Sequence, residues 1–345
     1  MKLSDFDYYL PKDLIAQYPL KERDLSRMML LERNKRGISH KHFRDVVAYF
    51  KKGDTVVLND SRVIPARIIC KKETGGKAEI FLLKRVKKNI YEALTKPAAR
   101  LMPGKRLFSK EGDLLAEVLE NREVGKLIRF ADVVNIEKYL KSAGQIPLPP
   151  YIKREPEEDD KERYQTIYAK NDGSVASPTA GLHFTKETFK KLKKKGVNFV
   201  YVTLHVGYST FTPVKVEDIT KHKMHKEDYL LPEKARDLIE KTKRKMGRVI
   251  AVGTTTARVL EANSERIMSG NKIGKEIMSA TDLFIYPPYK FKMVDALLTN
   301  FHLPGSTLLM LVSAFAGREF TLKAYKEAVK ENYRFYSYGD CMLII

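Results

Sequence analysis

Apolar positions fall into two textures along this chain, and the change between them divides it. A Pro-interrupted N-terminal segment leads to apolar runs around Met28–Arg44 that predict a hairpin. A short helix and the wholly apolar run Thr55–Leu58, a buried strand, follow. From Arg67 to about Ala131 the runs become short and β-like: RIICKK, AEIFLLKRV, YEALT, KRLFS, LLAEVLE and KLIRF, separated by TGG, KKN, a Pro-Gly at Pro103 and Gly104, and EGD. That spacing predicts a small all-β barrel or sandwich. The stiff stretch IPLPPYI, Ile146–Ile152, reads as the connection out of this unit.

Strands and helices then alternate. Thr185 is the residue type of an N-cap and Gly196 a terminator, with Lys-rich sequence between, so this is a helix whose charges suit its dipole. In NFVYVTLHV, residues Val200, Val202, Leu204 and Val206 share one face of a strand and Tyr201, Thr203 and His205 the other. A helix over Pro232–Met246, the strand RVIAV, another helix and two strand-like runs, DLFIYP and ALLTNF, come next. Leu308–Ala316 is a buried helix between Ser306 and Gly317, too short for a membrane span. The pattern is α/β with an inserted β unit.

At 345 residues the chain has room for about two domains of roughly 150 residues. Its 64 Lys plus Arg against 43 Asp plus Glu leave a net charge of +21, and 43% hydrophobic residues exclude a disordered chain. Only Gln17, Gln145 and Gln165 are glutamines, a composition suited to heat. Heat explains many charges but not their sign, so a polyanionic partner is expected. Between Arg67 and Lys141 there are 18 basic and 10 acidic residues, a surplus that suits a positive face on the β unit, although Lys-rich surface strands also serve to protect sheet edges. Cys70 and Cys341 lie far apart and form neither a disulfide framework nor a zinc knuckle. With no signal-peptide pattern and no long apolar run, the expected location is the cytoplasm, away from membranes.

Polar, Gly-bearing loops recur after the apolar strands: Asn59, Asp60, Ser61 and Arg62; His205 and Gly207–Thr210; Gly253–Thr256; and Thr299, Asn300, His302, Gly305 and Ser306. In open α/β sheets that edge binds ligands, because the crevice and the helix N-termini collect there. Gly253–Thr256 before Arg258 would suit an anion, although Thr at such a junction is also an ordinary cap. There is no P-loop and no Gly-x-Gly-x-x-Gly. His183, His205, His222, His225 and His302 fall in candidate loops and could handle protons near neutral pH. His222 and His225 lack a carboxylate or Cys partner at metal-site spacing, so no metal is expected. The run SVASPTAGLHFT, Ser174–Thr185, can lie against a ligand backbone-first. Tyr164, Tyr168, Tyr208, Phe211, Tyr286, Tyr289 and Phe291 offer platforms for an unstacked base.

Six ordered blocks carry a resemblance: LNDSRVIPARI from Leu58, PTAGLHFT from Pro178, TLHVGYSTFTPV from Thr203, HKMHKEDY from His222, AVGTTTARVLE from Ala251 and LLTNFHLPGSTLLMLVSAFAG from Leu297. The chain resembles the S-adenosylmethionine:tRNA ribosyltransferase-isomerase family of queuosine biosynthesis from Asp5 to near its end. Ser177 and Cys341 stand where the family would carry smaller apolar residues. The resemblance implies a larger mixed-sheet α/β domain from both chain ends, residues 1–66 and 147–345, with a small β-barrel domain inserted at 67–146.

The resemblance also implies a reaction. The ribosyl unit of S-adenosylmethionine, a co-substrate and not a resident cofactor, is transferred and isomerised onto the aminomethyl group of a 7-deazaguanine at the tRNA wobble position. Epoxyqueuosine-tRNA, adenine and methionine result. A sulfonium acidifies the adjacent C5′ protons, so a positioned base can start ribose opening and adenine loss. His183 or His302 is the expected base, Asp60 or Asp282 the group acting on the purine, and Arg62 or Arg258 the partner of the methionine carboxylate or an RNA phosphate. Asn59, Thr179, Gly181, His205, Gly253, Thr254, Thr255, Thr256, Asn300 and Ser306 complete the expected binding set. The anticodon stem-loop would dock by counterion release, with phosphate contacts from the barrel or from Lys190–Lys195, and the chain would act as a monomer. Two other classes fit parts of the sequence: a non-catalytic RNA-binding protein, and an enzyme of small phosphorylated sugars using Thr254–Thr256 as its anion site.

Overall fold

The structure is a computed structural model that describes residues 1–207, 214–270 and 276–345. In chain order the strands are β1 (Arg27–Glu32), β2 (Gly37–His42), β3 (Thr55–Asn59), β4 (Ser61–Val63), β5 (Arg67–Lys72), β6 (Lys77–Lys87), β7 (Ile90–Lys96), β8 (Arg106–Phe108) and β9 (Leu114–Asn121). They continue as β10 (Lys126–Phe130), β11 (Gly144–Gln145), β12 (Asn171–Ser174), β13 (Asn198–Leu204), β14 (Glu227–Leu231), β15 (Val249–Val252), β16 (Ile277–Thr281), β17 (Ala296–Asn300) and β18 (Cys341–Ile344). The α-helices are α1 (Val46–Tyr49), α2 (Ile136–Ala143), α3 (Asp160–Arg163), α4 (Lys186–Lys194), α5 (Glu233–Arg244), α6 (Thr254–Ala262), α7 (Ser264–Met268), α8 (Thr307–Ala316) and α9 (Arg318–Lys330).

The large sheet runs β16-β14-β13-β3-β15-β17-β18-β1-β2. Strands β13, β3, β15 and β17 are mutually parallel, with Val57 opposite both Val200 and Ala251, and the flanks turn antiparallel. Strand β18 enters between β17 and β1, so both ends of the chain build one sheet. Helices cover both faces, which is why β3 is buried along its whole length. One face packs Val57, Val202, Ala251 and Leu297 against α5, α6, α8 and α9. The other packs Val56, Leu58, Ile250 and Leu298 against Phe43, Phe184 and Leu192.

A second sheet follows β5-β6-β7-β10-β9-β8 and closes where β8 pairs back onto β5. This six-stranded antiparallel barrel leaves β11 as an appendage on β5. Alternating residues such as Ile68, Cys70, Ile80, Leu82 and Val118 fill it, and Ile136 and Leu140 of α2 pack against them. Asn135 caps α2 by accepting from the Lys138 amide.

Most expected elements are present, including the Thr185 cap of α4 and the Ser306 cap of α8. The run DLFIYP is not a strand. The strand is the preceding Ile277–Thr281, which exhausts the register of its partner β14, Glu227 lying opposite Thr281. Beyond it Ile285 enters the core as a loop residue and the Leu283 carbonyl is taken by Arg258. Strand β14, helix α9 and strand β18 were not foreseen.

Candidate active site

A cavity with about 720 Å³ of empty space, its open mouth included, lies at the carboxyl ends of β13, β15 and β17. That position suits a small organic ligand. Three connections line it. Gly253, Thr254 and Thr255 follow β15; Thr299–Leu303, Ser306 and Leu308 come from the end of β17 and the start of α8; Ala176–Ala180 cross over the sheet edge. Tyr151, Tyr164, Tyr336 and Ser337 close it from the side, the rings of Tyr151 and Tyr336 lying 4.6 Å apart. Among the described residues the lining contains no Asp, Glu, Lys or Arg.

Two helix N-termini open on this cavity. Gly253 carries φ +89°, a conformation that disfavours side chains, and turns β15 into α6 with no capping side chain on the first amides. At α8 the Ser306 hydroxyl caps the Leu309 amide at 3.2 Å. Uncapped amides of α6, with the hydroxyls of Thr254 and Thr255, favour an anionic or strongly accepting group.

His302 is the lining imidazole. Its Nε2 lies 2.8 Å from Thr299 Oγ1, and no described protein group occupies Nδ1. Its backbone is held by Tyr325, whose hydroxyl accepts from the amide, and by Tyr8, whose hydroxyl donates to the carbonyl. Burial lowers its pKa to about 3, so the ring is neutral at neutral pH.

His183 sits one layer behind. Asn300 Nδ2 donates to the Tyr336 carbonyl at 2.8 Å, which turns its Oδ1 toward His183 Nε2 at 3.0 Å. Nε2 therefore carries the proton, and Nδ1 accepts from the Ser26 hydroxyl at 2.6 Å. With both nitrogens engaged and burial lowering its pKa to about 4, His183 orients Asn300 and does not face the cavity.

The remaining expected residues divide by position. Thr179, Gly253, Thr254, Thr255, Asn300, His302 and Ser306 line the cavity. Asn59 clamps β3 to β13 through the Leu204 amide and carbonyl. Asp60 is buried, its Oδ1 accepting from Thr203 at 2.6 Å and Asn171 at 3.0 Å, and it does not line the cavity. Asp282 is exposed. Gly181 faces away: a Cβ there would meet the Tyr168 hydroxyl at 2.0 Å. Thr256 is fully buried and donates to the Val252 carbonyl. Arg62 is exposed and donates to the Ala169 carbonyl. His205 is partly buried, packs where a Cβ on Gly173 would stand, and has its pKa lowered by that burial.

Arg258 is the clearest departure from expectation. It is 4% exposed, pairs with Glu227 at 2.5 Å, and donates to the Leu283 and Thr281 carbonyls. Its charge ties α6 to β14 and β16 and is not presented to a ligand. Of the platform tyrosines, Tyr164 lines the cavity, whereas Tyr286 packs on Phe284, Tyr289 donates to Glu261, and Tyr168 packs on Phe189. Tyr208 and Phe211 lie outside the described residues. Ser337 and Tyr336 went unnoticed as candidates, because they reach the cavity only through the chain reversal before β18.

A mixed α/β sheet with a neutral, hydroxyl- and ring-lined cavity at its strand ends, joined to an antiparallel barrel, defines an α/β enzyme architecture with an accessory β-barrel. A profile described as "Queuosine biosynthesis protein" matches residues 3–344, and the chain belongs to that family. Over the full length of both chains it is 54% identical to the S-adenosylmethionine:tRNA ribosyltransferase-isomerase of Sulfurihydrogenibium sp. and 50% identical to the protein of that name from Thermotoga maritima. The crystal structure of S-adenosylmethionine tRNA ribosyltransferase from Thermotoga maritima matches with a TM-score of 0.56 at 40% identity, covering 99% of this chain and 100% of the other.

Proposed function

We propose that this protein transfers and isomerises the ribosyl unit of S-adenosylmethionine onto 7-aminomethyl-7-deazaguanine at the wobble position of tRNA, releasing adenine and methionine. The observation that carries this reading is the cavity itself: an open-mouthed site without formal charge in its lining, containing one imidazole held neutral. A sulfonium would be at home there, since Tyr151, Tyr164 and Tyr336 offer ring faces and no cation repels it. His302 acts as the base that removes a C5′ proton, its Nδ1 being the unoccupied nitrogen. With no carboxylate in the lining, the departing adenine takes its hydrogen bonds from hydroxyls and backbone amides, among them those of Thr254 and Thr255. His183 positions Asn300 at the wall.

The reading needs no metal or resident cofactor. It treats residues 67–146 as a separate domain that helps to dock the anticodon stem-loop, and places a monomer in the cytoplasm. The exposed lysines of α4 supply further phosphate contacts. The test is mass-spectrometric detection of adenine and methionine from S-adenosylmethionine and tRNA bearing the aminomethyl base, with unmodified tRNA as control. Release confined to the modified tRNA supports the assignment. No release by folded protein that binds this tRNA would leave an RNA-binding protein without this activity.

A further inference from the structure

A second, smaller cavity lies behind the first and shares Ser337 with it. Its lining includes Arg23, Arg163, Ser26, His183 and Tyr338. Arg23 Nη1 donates to the Leu182 carbonyl at 3.1 Å and Nη2 to the Glu162 carbonyl at 3.0 Å. Arg163 Nη1 donates to the Lys21 carbonyl at 3.0 Å and Nη2 to the Leu20 carbonyl at 2.6 Å. Neither arginine forms an ion pair with a carboxylate among the described residues. Glu22 also lines the cavity but is exposed and pairs with neither.

Such an arrangement is costly unless it has a use. Carbonyls fix each guanidinium fork in place without cancelling its charge, so two like charges face one cavity. Arg163 Nε is buried with no hydrogen-bond partner among the described residues, a donor left over after the carbonyls are served. The Arg23 pKa is pushed down, first by burial and then by Arg163, with Glu162, Tyr338 and Tyr168 offsetting only part of the shift. The neighbouring His183 is neutral and adds no further positive charge.

We propose that Arg23 and Arg163 form a preorganised oxyanion site that holds one singly charged group of a substrate beside the cavity of His302. The group is a phosphodiester next to the modified nucleotide or the carboxylate of the methionine moiety. Both present the paired oxygens that a guanidinium fork matches. The proposal deepens the reading above, which supplies these two ligands.

The experiment uses the full chain as wild type, Arg23→Gln, Arg163→Gln and Arg163→Lys. Affinity for S-adenosylmethionine is measured by equilibrium dialysis, and affinity for the anticodon stem-loop by filter binding across salt concentrations. Each Gln variant is expected to lose about tenfold in one affinity and keep the other within twofold, with Arg163→Lys between. Loss in the RNA arm, with a salt slope shallower by about 0.7 to 0.9 per contact, identifies the phosphodiester. Loss in the donor arm identifies the carboxylate. Unchanged affinities in both arms, or equal loss in both together with a lowered melting temperature, overturn the proposal.

A measurement on the wild type covers variants that fail to fold: inorganic phosphate should raise the melting temperature above chloride at equal ionic strength. No difference between the two salts overturns the site. Binding is read apart from turnover, so wild type that releases no adenine removes the reaction, whereas active wild type with unaffected variants removes only the anion site.

Discussion

The two buried histidines should make this protein sensitive to mild acid in a way that one substitution can halve. His183 and His302 are 4% and 9% exposed, with pKa values lowered by burial to about 4 and about 3 from an ordinary 6.5. The unfolded chain therefore binds protons at these sites below pH 6.5 while the folded chain does not, so stability falls as pH drops through that range. The loss levels off once pH passes the two folded values. Each pH unit below 6.5 costs about 1.4 kcal/mol per histidine. Going from pH 7.5 to pH 5.0 thus removes about 2 kcal/mol for each and about 4 kcal/mol for the pair.

His183→Gln is the perturbation of choice, because the amide keeps a donor available to Asn300 Oδ1 and abolishes the titration. Urea unfolding followed by circular dichroism at both pH values gives the change in stability for each protein. The variant should lose about 2 kcal/mol less than wild type on acidification, whatever its stability at pH 7.5. Carboxylates and other histidines contribute to both proteins and cancel in the comparison. Equal losses would show that His183 takes up a proton in the folded state and would refute the neutral hydrogen-bond assignment.

Replacing His302 with Ala should lower the rate of adenine release by a factor of about 10² to 10⁴ while tRNA affinity holds, checked by single-turnover kinetics and filter binding. Arg258→Ala removes the guanidinium that balances the buried Glu227 carboxylate and should cost about 3 to 5 kcal/mol by urea unfolding. Arg258→Met combined with Glu227→Leu should recover much of that, and a stable single variant would contradict the structural role given to the pair. The Ser177 hydroxyl has no hydrogen-bond partner among the described residues. Ser177→Ala should therefore raise stability by up to about 1 kcal/mol with turnover retained, and a measured loss would show that the hydroxyl is satisfied. Charge reversal at Lys190, Lys191, Lys193 and Lys194 should weaken stem-loop binding and flatten its salt dependence, and an unchanged slope would take α4 out of the RNA surface.

Local chemistry made much of this fold legible. The apolar run at β3, the alternation of β13, the Thr185 and Ser306 caps and the short barrel strands each follow from spacing and turn residues that act over a few positions. The loops after β13, β15 and β17 could be marked as a ligand edge because strand ends in such sheets collect there. The chemical identity of the site residues was legible too, since Gly253, Thr254, Asn300 and His302 do meet in one cavity.

Orientation and charge balance were not legible, because they depend on partners distant in sequence. Arg258 looks like an anion ligand until Glu227, 31 residues away, is found against it. His183 looks like a base until Ser26 and Asn300 take both nitrogens. Arg23 and Arg163 drew no attention, being 140 residues apart and ordinary in composition, yet the fold aims both at one cavity. The sequence by itself determined most of the strands and helices, though not β14, α9 or β18, and which loops carry reactive side chains. Only the tertiary structure decided which of those side chains are spent holding the fold together and which are left unpaired, because a hydrogen bond or an ion pair has two ends.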